Sequence, residues 1–344
     1  MATSRIRNME EFAVVSGISR PTLSKYFNDP DSVRRSTRDR IEAALARHDY
    51  RPNIYAINQN RRLTKNIGIV VPYLADPFFA EIARNLETLC LDAGFRPILQ
   101  SSHGEPATEV SNLDGLRAIK PAGVLLAPLG RASEKQQLAE FCNSVPTVLF
   151  DSNIDELGDA FVGHDNLKSI GLMVDYLCET GGPPVFFEMD RPTNPNAYNR
   201  RRSYGQVMTA KGLEPRYIQV EGDGWDFEAI GYRGAMRAFT SGVLGDRDTI
   251  LCSNDRLAIG VLSAAYDSGL RVGCDADCDL RVAGHDDHPF SQYTCPRLTT
   301  VSQNYGAIAE SALDALLSMV ESGHRATERH SVLYVGNLVP RGSA

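Results

Sequence analysis

Two different spacings of apolar residues divide the chain. Over its first part they recur three and four apart, the interval of a helix with one inward face. A helix across residues 8–15 puts Met9, Phe12 and Ala13 on that face, and Ser16-Gly17 breaks it. A second helix starts at once, with Ser19 as N-cap and Pro21 in an early position. Leu23, Tyr26 and Phe27 are spaced to pack inward until Asn28-Asp29-Pro30 ends it. A third, capped by Ser36 or Thr37, carries Ile41, Ala44 and Leu45 inward as far as His48-Asp49-Tyr50. From Asn66 the spacing changes to short apolar runs alternating with helical stretches, the pattern of a parallel α/β fold. It predicts strands at 67–71, 96–99, 123–127, 147–150, 185–187, 216–220, 249–252 and 281–283, and helices at 78–93, 201–211, 227–241 and 255–268. The polar, Asn- and Pro-containing interval 189–200 reads as a loop. Residues 66–340 are too many for one such sheet, so two similar doubly wound parallel-sheet lobes with a cleft between them are expected. The predicted order is an all-α head at 1–51, a linker at 52–65 and a two-lobed α/β body at 66–340.

Charge sharpens the same division. The chain of 344 residues carries a net −7, yet residues 1–65 hold thirteen Lys/Arg against seven Asp/Glu, which leaves 23 against 36 for the rest. A basic head at +6 is joined to a body at −13, so phosphates attract one end and are repelled by the other. Seven cysteines, scattered and odd in number, are unlike a disulfide framework and fit reduced thiols. Cys274 and Cys278 lie near His285 and His288 without zinc-ligand spacing, so no metal is expected. No run approaches the roughly 18 apolar residues of a membrane span, and MATSRIRNMEEF lacks the apolar core of a signal peptide, which fits a cytoplasmic protein away from membranes. An enzyme of doubly wound fold finds no support: GxGxxG after the first strand, GxxxxGK[ST], GxSxG and HExxH are all missing, so neither catalytic residues nor a cofactor is expected.

Two short helices joined by a Gly-containing turn and closed by a third make a helix-turn-helix. The second helix then presents Arg20, Pro21, Thr22, Ser24 and Lys25 near its N-terminal end, where such helices meet base edges. Arg20 and Lys25 suit guanine O6 and N7, while Thr22 and Ser24 suit phosphate or base contacts. A three-helix bundle that binds protein is the competing reading. The stretch Val15-Ser-Gly-Ile-Ser-Arg-Pro-Thr-Leu-Ser-Lys-Tyr-Phe-Asn28 resembles the helix-turn-helix of the LacI/GalR family of bacterial repressors, and Tyr50-Arg-Pro-Asn53 resembles the start of its hinge. The resemblance implies that Arg20, Pro21 and Lys25 read bases and that Asn28 and Asn53 touch the DNA backbone. It also implies a hinge helix through Asn53, Ala56 and Gln59, of a kind that forms on operator DNA and wedges a leucine into the minor groove. Gln59 stands at the wedge position and is a poor unstacking group, so either Ile57 or Tyr55 takes that part or the operator is kinked less. An ordinary linker remains the alternative, since so short a segment holds no isolated helix in water.

In open parallel sheets ligands sit beyond the carboxyl ends of the strands. The segments there are Asp76-Pro-Phe78-Phe79, Asp151-Ser-Asn153, the loop ending at Arg202, Asn254-Asp255 and Gly284-His-Asp286-Asp287. Carboxylates and amides match hydroxyls, and aromatic faces pack against the C–H face of a sugar ring, a role open to the single tryptophan, Trp225. The bland readings are that Phe78 or Phe79 is core, that Asp255 caps its helix and that Asp287 is structural. The family resemblance runs through these motifs to Pro296-Arg-Leu-Thr-Thr-Val-Ser-Gln303 and implies a core shared with periplasmic sugar-binding proteins. By carry-over Asp76, Phe79, Asp151, Arg202, Asn254, Asp286 and Gln303 line the pocket, Trp225 matches only with a one-residue slip, and His285 replaces the usual aromatic, altering packing or adding pH sensitivity. The resemblance thus implies a homodimeric repressor of a pseudo-palindromic operator on double-stranded DNA, released by a small polar effector, most simply a sugar. Dimer contacts are then expected from the helix at 78–91 and from 114–119. A co-repressor-dependent regulator of nucleobase or nucleoside chemistry, a tetramer, and a sugar-binding protein without DNA function are the alternatives.

Overall fold

The computed structural model describes residues 6, 8–48, 50, 64–193, 195–245, 247–325 and 328–344. Its contacts separate into two units, Met1–Thr64 and Lys65–Ala344. In the first, α1 (Met9–Ser16) starts where Asn8 Oδ1 accepts the Glu11 amide at 2.8 Å and stops at Gly17, whose φ of 63° turns the chain. Helix α2 (Arg20–Asn28) begins at Ser19, whose hydroxyl accepts the Thr22 amide at 3.4 Å. Helix α3 (Arg35–His48) starts ahead of the expected caps: the Thr37 and Arg38 amides both donate to the Arg34 carbonyl, so Ser36 and Thr37 lie inside its first turn. Phe12, Leu23 and Ile41 are fully buried, and Ile18 and Tyr50 complete the core, with the Phe12 and Tyr50 rings stacked at 4.5 Å. The predicted linker, apart from residues 64 and 65, lies outside the described residues.

The body holds two parallel sheets with helices on both faces. The first has the order β2 (Arg96–Ser101), β1 (Asn66–Val71), β3 (Gly123–Leu126), β4 (Thr147–Phe150), β5 (Ala160–His164) and β11 (His330–Tyr334). Ile67, Ile69 and Val71 pack against α4 (Pro77–Asp92) and α11 (Tyr305–Ser322), while Val70 on the opposite face packs with residues of α5 (Pro106–Ala118) and α6 (Lys135–Ser144). Burial on both faces is why these strands read as unbroken apolar runs. The second sheet has the order β7 (Arg216–Val220), β6 (Val185–Met189), β8 (Thr249–Cys252) and β9 (Arg281–Ala283), flanked by α7 (Asn166–Thr180), α8 (Pro195–Ala210), α9 (Phe227–Ser241) and α10 (Asp255–Asp267). The short antiparallel pair β10 (Thr300–Ser302) and β12 (Asn337–Val339) adjoins it.

The chain therefore passes between the lobes three times, at 164–166, 302–305 and 334–337. Three differences from the sequence expectation matter. Strands β5, β10, β11 and β12 are not among the expected ones. The helix predicted at 201–211 begins six residues earlier, at Pro195, inside the interval read as a loop. The body also runs past residue 340: Ser343 exchanges backbone bonds with Val282 and Arg297, Arg341 pairs with Asp287 at 2.6 Å, and Ala344 is fully buried.

Helices α9 and α10 approach backbone to backbone. A Cβ at Gly231 would strike the Leu257 carbonyl, and one at Gly260 the Glu228 carbonyl. Backbone cannot yield as a side chain can, so Gly231→Ala and Gly260→Ala are each expected to lower unfolding free energy by about 1–3 kcal/mol, the usual cost of overpacking. Urea denaturation checks this. A neutral result would mean that the helices separate at no cost.

Candidate effector cleft and nucleic-acid interface

On the head, Arg20, Pro21 and Lys25 are exposed along α2, and Thr22 and Ser24 are half-buried between them and the core. The Thr22 hydroxyl bonds Ser19 Oγ at 2.8 Å, and Arg20 meets Glu10 of α1 at 3.3 Å. Asn28 closes α2. Asn53, Ala56 and Gln59 lie outside the described residues. The exposed row is basic and sits at a capped helix start, the geometry a groove-reading helix needs.

In the body the carboxyl ends of both sheets converge on one buried polar cluster. Its centre is an ion pair between Arg200 of α8 and Asp286, which follows β9: Nη2 donates to Oδ1 at 2.5 Å and Nη1 to Oδ2 at 3.3 Å. Arg200 also donates to the Ser253 carbonyl at 2.7 Å and to Asn166 Oδ1 at 3.3 Å. Gln303 Nε2 donates to Asp286 Oδ1 at 2.7 Å. Burial pushes the Asp286 carboxyl up, but Arg200 and His285 beside it outweigh that and hold it well below the usual range. His285 is fully buried, and burial followed by the Arg200 charge pushes it down to about 4. It stays neutral through the neutral range, so the pH sensitivity expected of this histidine is not supplied by its titration there.

Two carboxylates of the first lobe reach across to the second. Asp76 caps α4 through the Phe78 amide at 3.0 Å and pairs with Arg256 of α10 at 3.0 Å, which also grips Glu228 at 2.6 and 2.7 Å. Asp151, held at a left-handed φ of 60°, accepts from Asn196 Nδ2 at 2.7 Å, while its Oδ2 is buried without a partner. Burial pushes the Asp151 carboxyl up to about 7, against the pull of Arg200. The aromatic wall also spans the lobes: Trp225 stacks on Tyr73 at 5.0 Å and meets the edge of Phe79 at 6.0 Å, while Phe78 packs on Phe79 and Tyr305.

Two expected positions fall outside the cluster. Arg202 is exposed, because α8 begins early and two residues turn a helix by about 200°; the inward guanidinium belongs to Arg200. Asn153 is exposed and bonds Asp155 and Arg329, since Asp151 has already turned the chain outward. Asn254 is buried, but its Oδ1 is used to cap α10 through the Leu257 amide at 2.8 Å. Asp255 braces the loop beyond β9 by accepting from the His288 amide, Ser291 and Thr300. Reasoning from sequence missed Arg200, Asn196, Asn166 and Arg256. The available signal was Pro195, which suits the first helical turn and starts α8 early enough to face Arg200 inward. Cys278 gathers instead with Asp275 and Asp277 at an exposed turn, their ligand atoms within 4.8 Å.

Comparison with known proteins bears on both units. Residues 8–53 match the description "Bacterial regulatory proteins, lacI family", and residues 174–344 match a periplasmic binding protein-like domain. The chain belongs to the lacI family of bacterial regulatory proteins. This LacI-family regulator is 28% identical to the ribose operon repressor of Escherichia coli (strain K12) over 339 residues, 98% of this chain and 99% of that protein. It is also 28% identical to the HTH-type transcriptional repressor CytR of the same organism over 322 residues, 92% and 90% of the two chains. Its fold is that of the Lac repressor bound to ONPG, with a TM-score of 0.82 at 23% identity over 98% of this chain and 99% of the other. It is a DNA-binding transcriptional regulator of the repressor kind, not an enzyme. Among the described residues no helix is long and apolar enough to cross a membrane.

The cluster generates two predictions. Asp286→Ala strands the buried Arg200 charge and is expected to cost about 3–5 kcal/mol by chemical denaturation, as breaking one side of a buried pair does. Asp151 behaves oppositely. Its folded pKa lies above the ordinary carboxylate value of about 3.9, so the stability it contributes is present at low pH and is lost as pH rises through about 7. Asp151→Asn, uncharged throughout, is expected to raise Tm relative to the parent at pH 8 and to lose that advantage at pH 5. An equal offset at both pH values contradicts the assignment.

Proposed function

We propose that the regulator binds a pseudo-palindromic operator as a cytoplasmic homodimer and releases it when a neutral sugar, most simply a pentose such as ribose, occupies the cleft. The carrying observation is the cleft's pattern of satisfied charges and unsatisfied polar atoms. Arg200 is matched by Asp286, and Arg256 by Asp76 and Glu228, so the cationic groups already have partners. Asp151 Oδ2, Gln303 Oε1 and Trp225 Nε1 are buried without one among the described residues. Two acceptors and a donor beside an aromatic wall suit hydroxyls on a ring with an apolar face. The name of the ribose operon repressor, and a ribose-bound LacI-family regulator from Enterococcus faecium at 17% identity, point the same way.

Arg20, Pro21 and Lys25 are assigned to base edges, Thr22, Ser24 and Asn28 to phosphates, and the segment with Asn53, Ala56 and Gln59 to the minor groove. The effector residues are assigned as Asp76, Phe78, Phe79, Asp151, Trp225, Asp286 and Gln303, with Arg200 in place of Arg202. Closure of the lobes around sugar favours one arrangement of the dimer over another, a population shift that lowers operator affinity.

Ribose is expected to raise Tm, change the fluorescence of the single tryptophan and weaken operator binding in fluorescence anisotropy. Lys25→Ala or Arg20→Ala is expected to weaken operator binding by about 1–3 kcal/mol while sparing ribose binding, and Asp151→Ala to do the reverse. Adenosine and cytidine in the same screen test the nucleoside reading. Tighter operator binding in the presence of the sugar overturns the sign of regulation.

A further inference from the structure

The cleft uses the carboxyl ends of the second sheet. Its amino ends form a separate cavity of about 600 Å³, on the far side of that lobe. The first residues of three strands line it, Arg216 of β7, Thr249 of β8 and Arg281 of β9, together with Thr180 and Gly181 at the end of α7 and Arg247.

Arg281 is 6% exposed. Its Nη2 donates to Thr180 Oγ1 at 2.6 Å and its Nη1 to the Leu177 carbonyl at 3.3 Å, but no carboxylate pairs with it among the described residues, and its Nε is buried with no acceptor. The negative end of α7 offsets part of the charge and leaves the Nε–H unused. Thr249, 2% exposed and lining the same cavity, has a hydroxyl that likewise lacks a partner. The other charges do not cancel Arg281. Asp248 is taken bidentately by Arg216 at 2.9 and 3.2 Å, and Glu214 is exposed to solvent. Glycine at 181 is required for this arrangement, since a Cβ there would collide with the Arg281 guanidinium.

A buried guanidinium is costly without a counter-charge, and a buried hydroxyl without a hydrogen bond adds to that cost. We infer that this cavity is a second ligand site, taking a small metabolite through a phosphate or carboxylate group that supplies the counter-charge Arg281 lacks, with Thr249 beside it and Arg247 at its mouth. Its volume falls within the range of small-molecule sites, about 300–1,000 Å³. Helix α7 joins it to the effector cleft. One end of α7 supplies Asn166 to Arg200, and the other supplies Leu177 and Thr180 to Arg281.

The test is titration of the full-length protein with inorganic phosphate and, separately, citrate, against chloride at matched ionic strength, followed by calorimetry and Tm. Saturable binding of phosphate or citrate is expected, and which of the two binds identifies the headgroup. Thr249→Val, which removes no hydrogen bond among the described residues, and Arg247→Ser, which removes one exposed bond to the Asp275 carbonyl at 3.4 Å, are each expected to weaken it about tenfold, the loss of one hydrogen bond or ion contact to a charged group. Arg281→Lys is expected to weaken it further. Asp151→Asn, which alters the effector cleft while leaving the Arg200–Asp286 pair in place, is expected to leave it intact. Binding no better than chloride, or equal in the Thr249 and Arg247 variants, overturns the site; the second result places the anion elsewhere on the chain. An ordered water bridging Arg281 and Thr249 in crystals grown in saturating phosphate overturns it as well.

Discussion

The body is organised around one buried charge. Arg200 ties together the loop after β8 through the Ser253 carbonyl, the loop after β9 through Asp286, and the first crossover between the lobes through Asn166. Gln303, at the second crossover, closes on the same carboxylate. A guanidinium removed from water tolerates little misplacement, because each lost partner exposes the full cost of desolvation. Two strand ends and two of the three crossovers are thereby held to one geometry at the junction of the lobes.

Closure of the lobes rests on separate pairwise contacts rather than on one shared charge. Asp76 with Arg256, Asp151 with Asn196, Trp225 on Tyr73 and Phe79, and Arg131 over Tyr198 are among the contacts that cross the cleft. Each is worth a small number of kcal/mol, the scale on which a ligand's own hydrogen bonds also act. A rigid junction with weakly latched lips suits a sensor, since the energy separating its closure states is comparable to what a small molecule supplies. The charge division between head and body adds a second constraint: the phosphates of a nucleic acid are attracted only to the head, and the acidic body can carry a buried arginine cluster without becoming a nucleic-acid surface.

Much of this was legible from local pattern. The inward faces of α1, α2 and α3, the Ser19 cap, and strands such as 147–150, 249–252 and 281–283 follow from periodicity and capping chemistry, which act over a few residues. The strand-end argument pointed to Asp76, Asp151 and Asp286, which the structure brings to one cluster because topology places carboxyl ends together whatever the loops contain, while Gln303 was named only through the family resemblance. It failed at Arg202 and Asn153. In both cases a shift of two positions along a helix or turn reverses the direction of a side chain. The start of α8 was hidden because Asn and Pro mark loops and first helical turns alike.

The sequence by itself determined the kind of molecule: a basic helix-turn-helix before an acidic, two-lobed parallel α/β body, with the residue types of a polar binding cleft at its strand ends. Only the tertiary structure decided which arginine meets Asp286, that Arg256 bridges the lobes, that the last residues belong to the second lobe, and that Arg281 and Thr249 face one cavity from the opposite end of the sheet. The reason is range. Periodicity, capping and charge density are properties of neighbours in sequence, whereas pairing of a buried charge is settled between residues tens of positions apart, by whichever polar groups remain after the apolar core has closed.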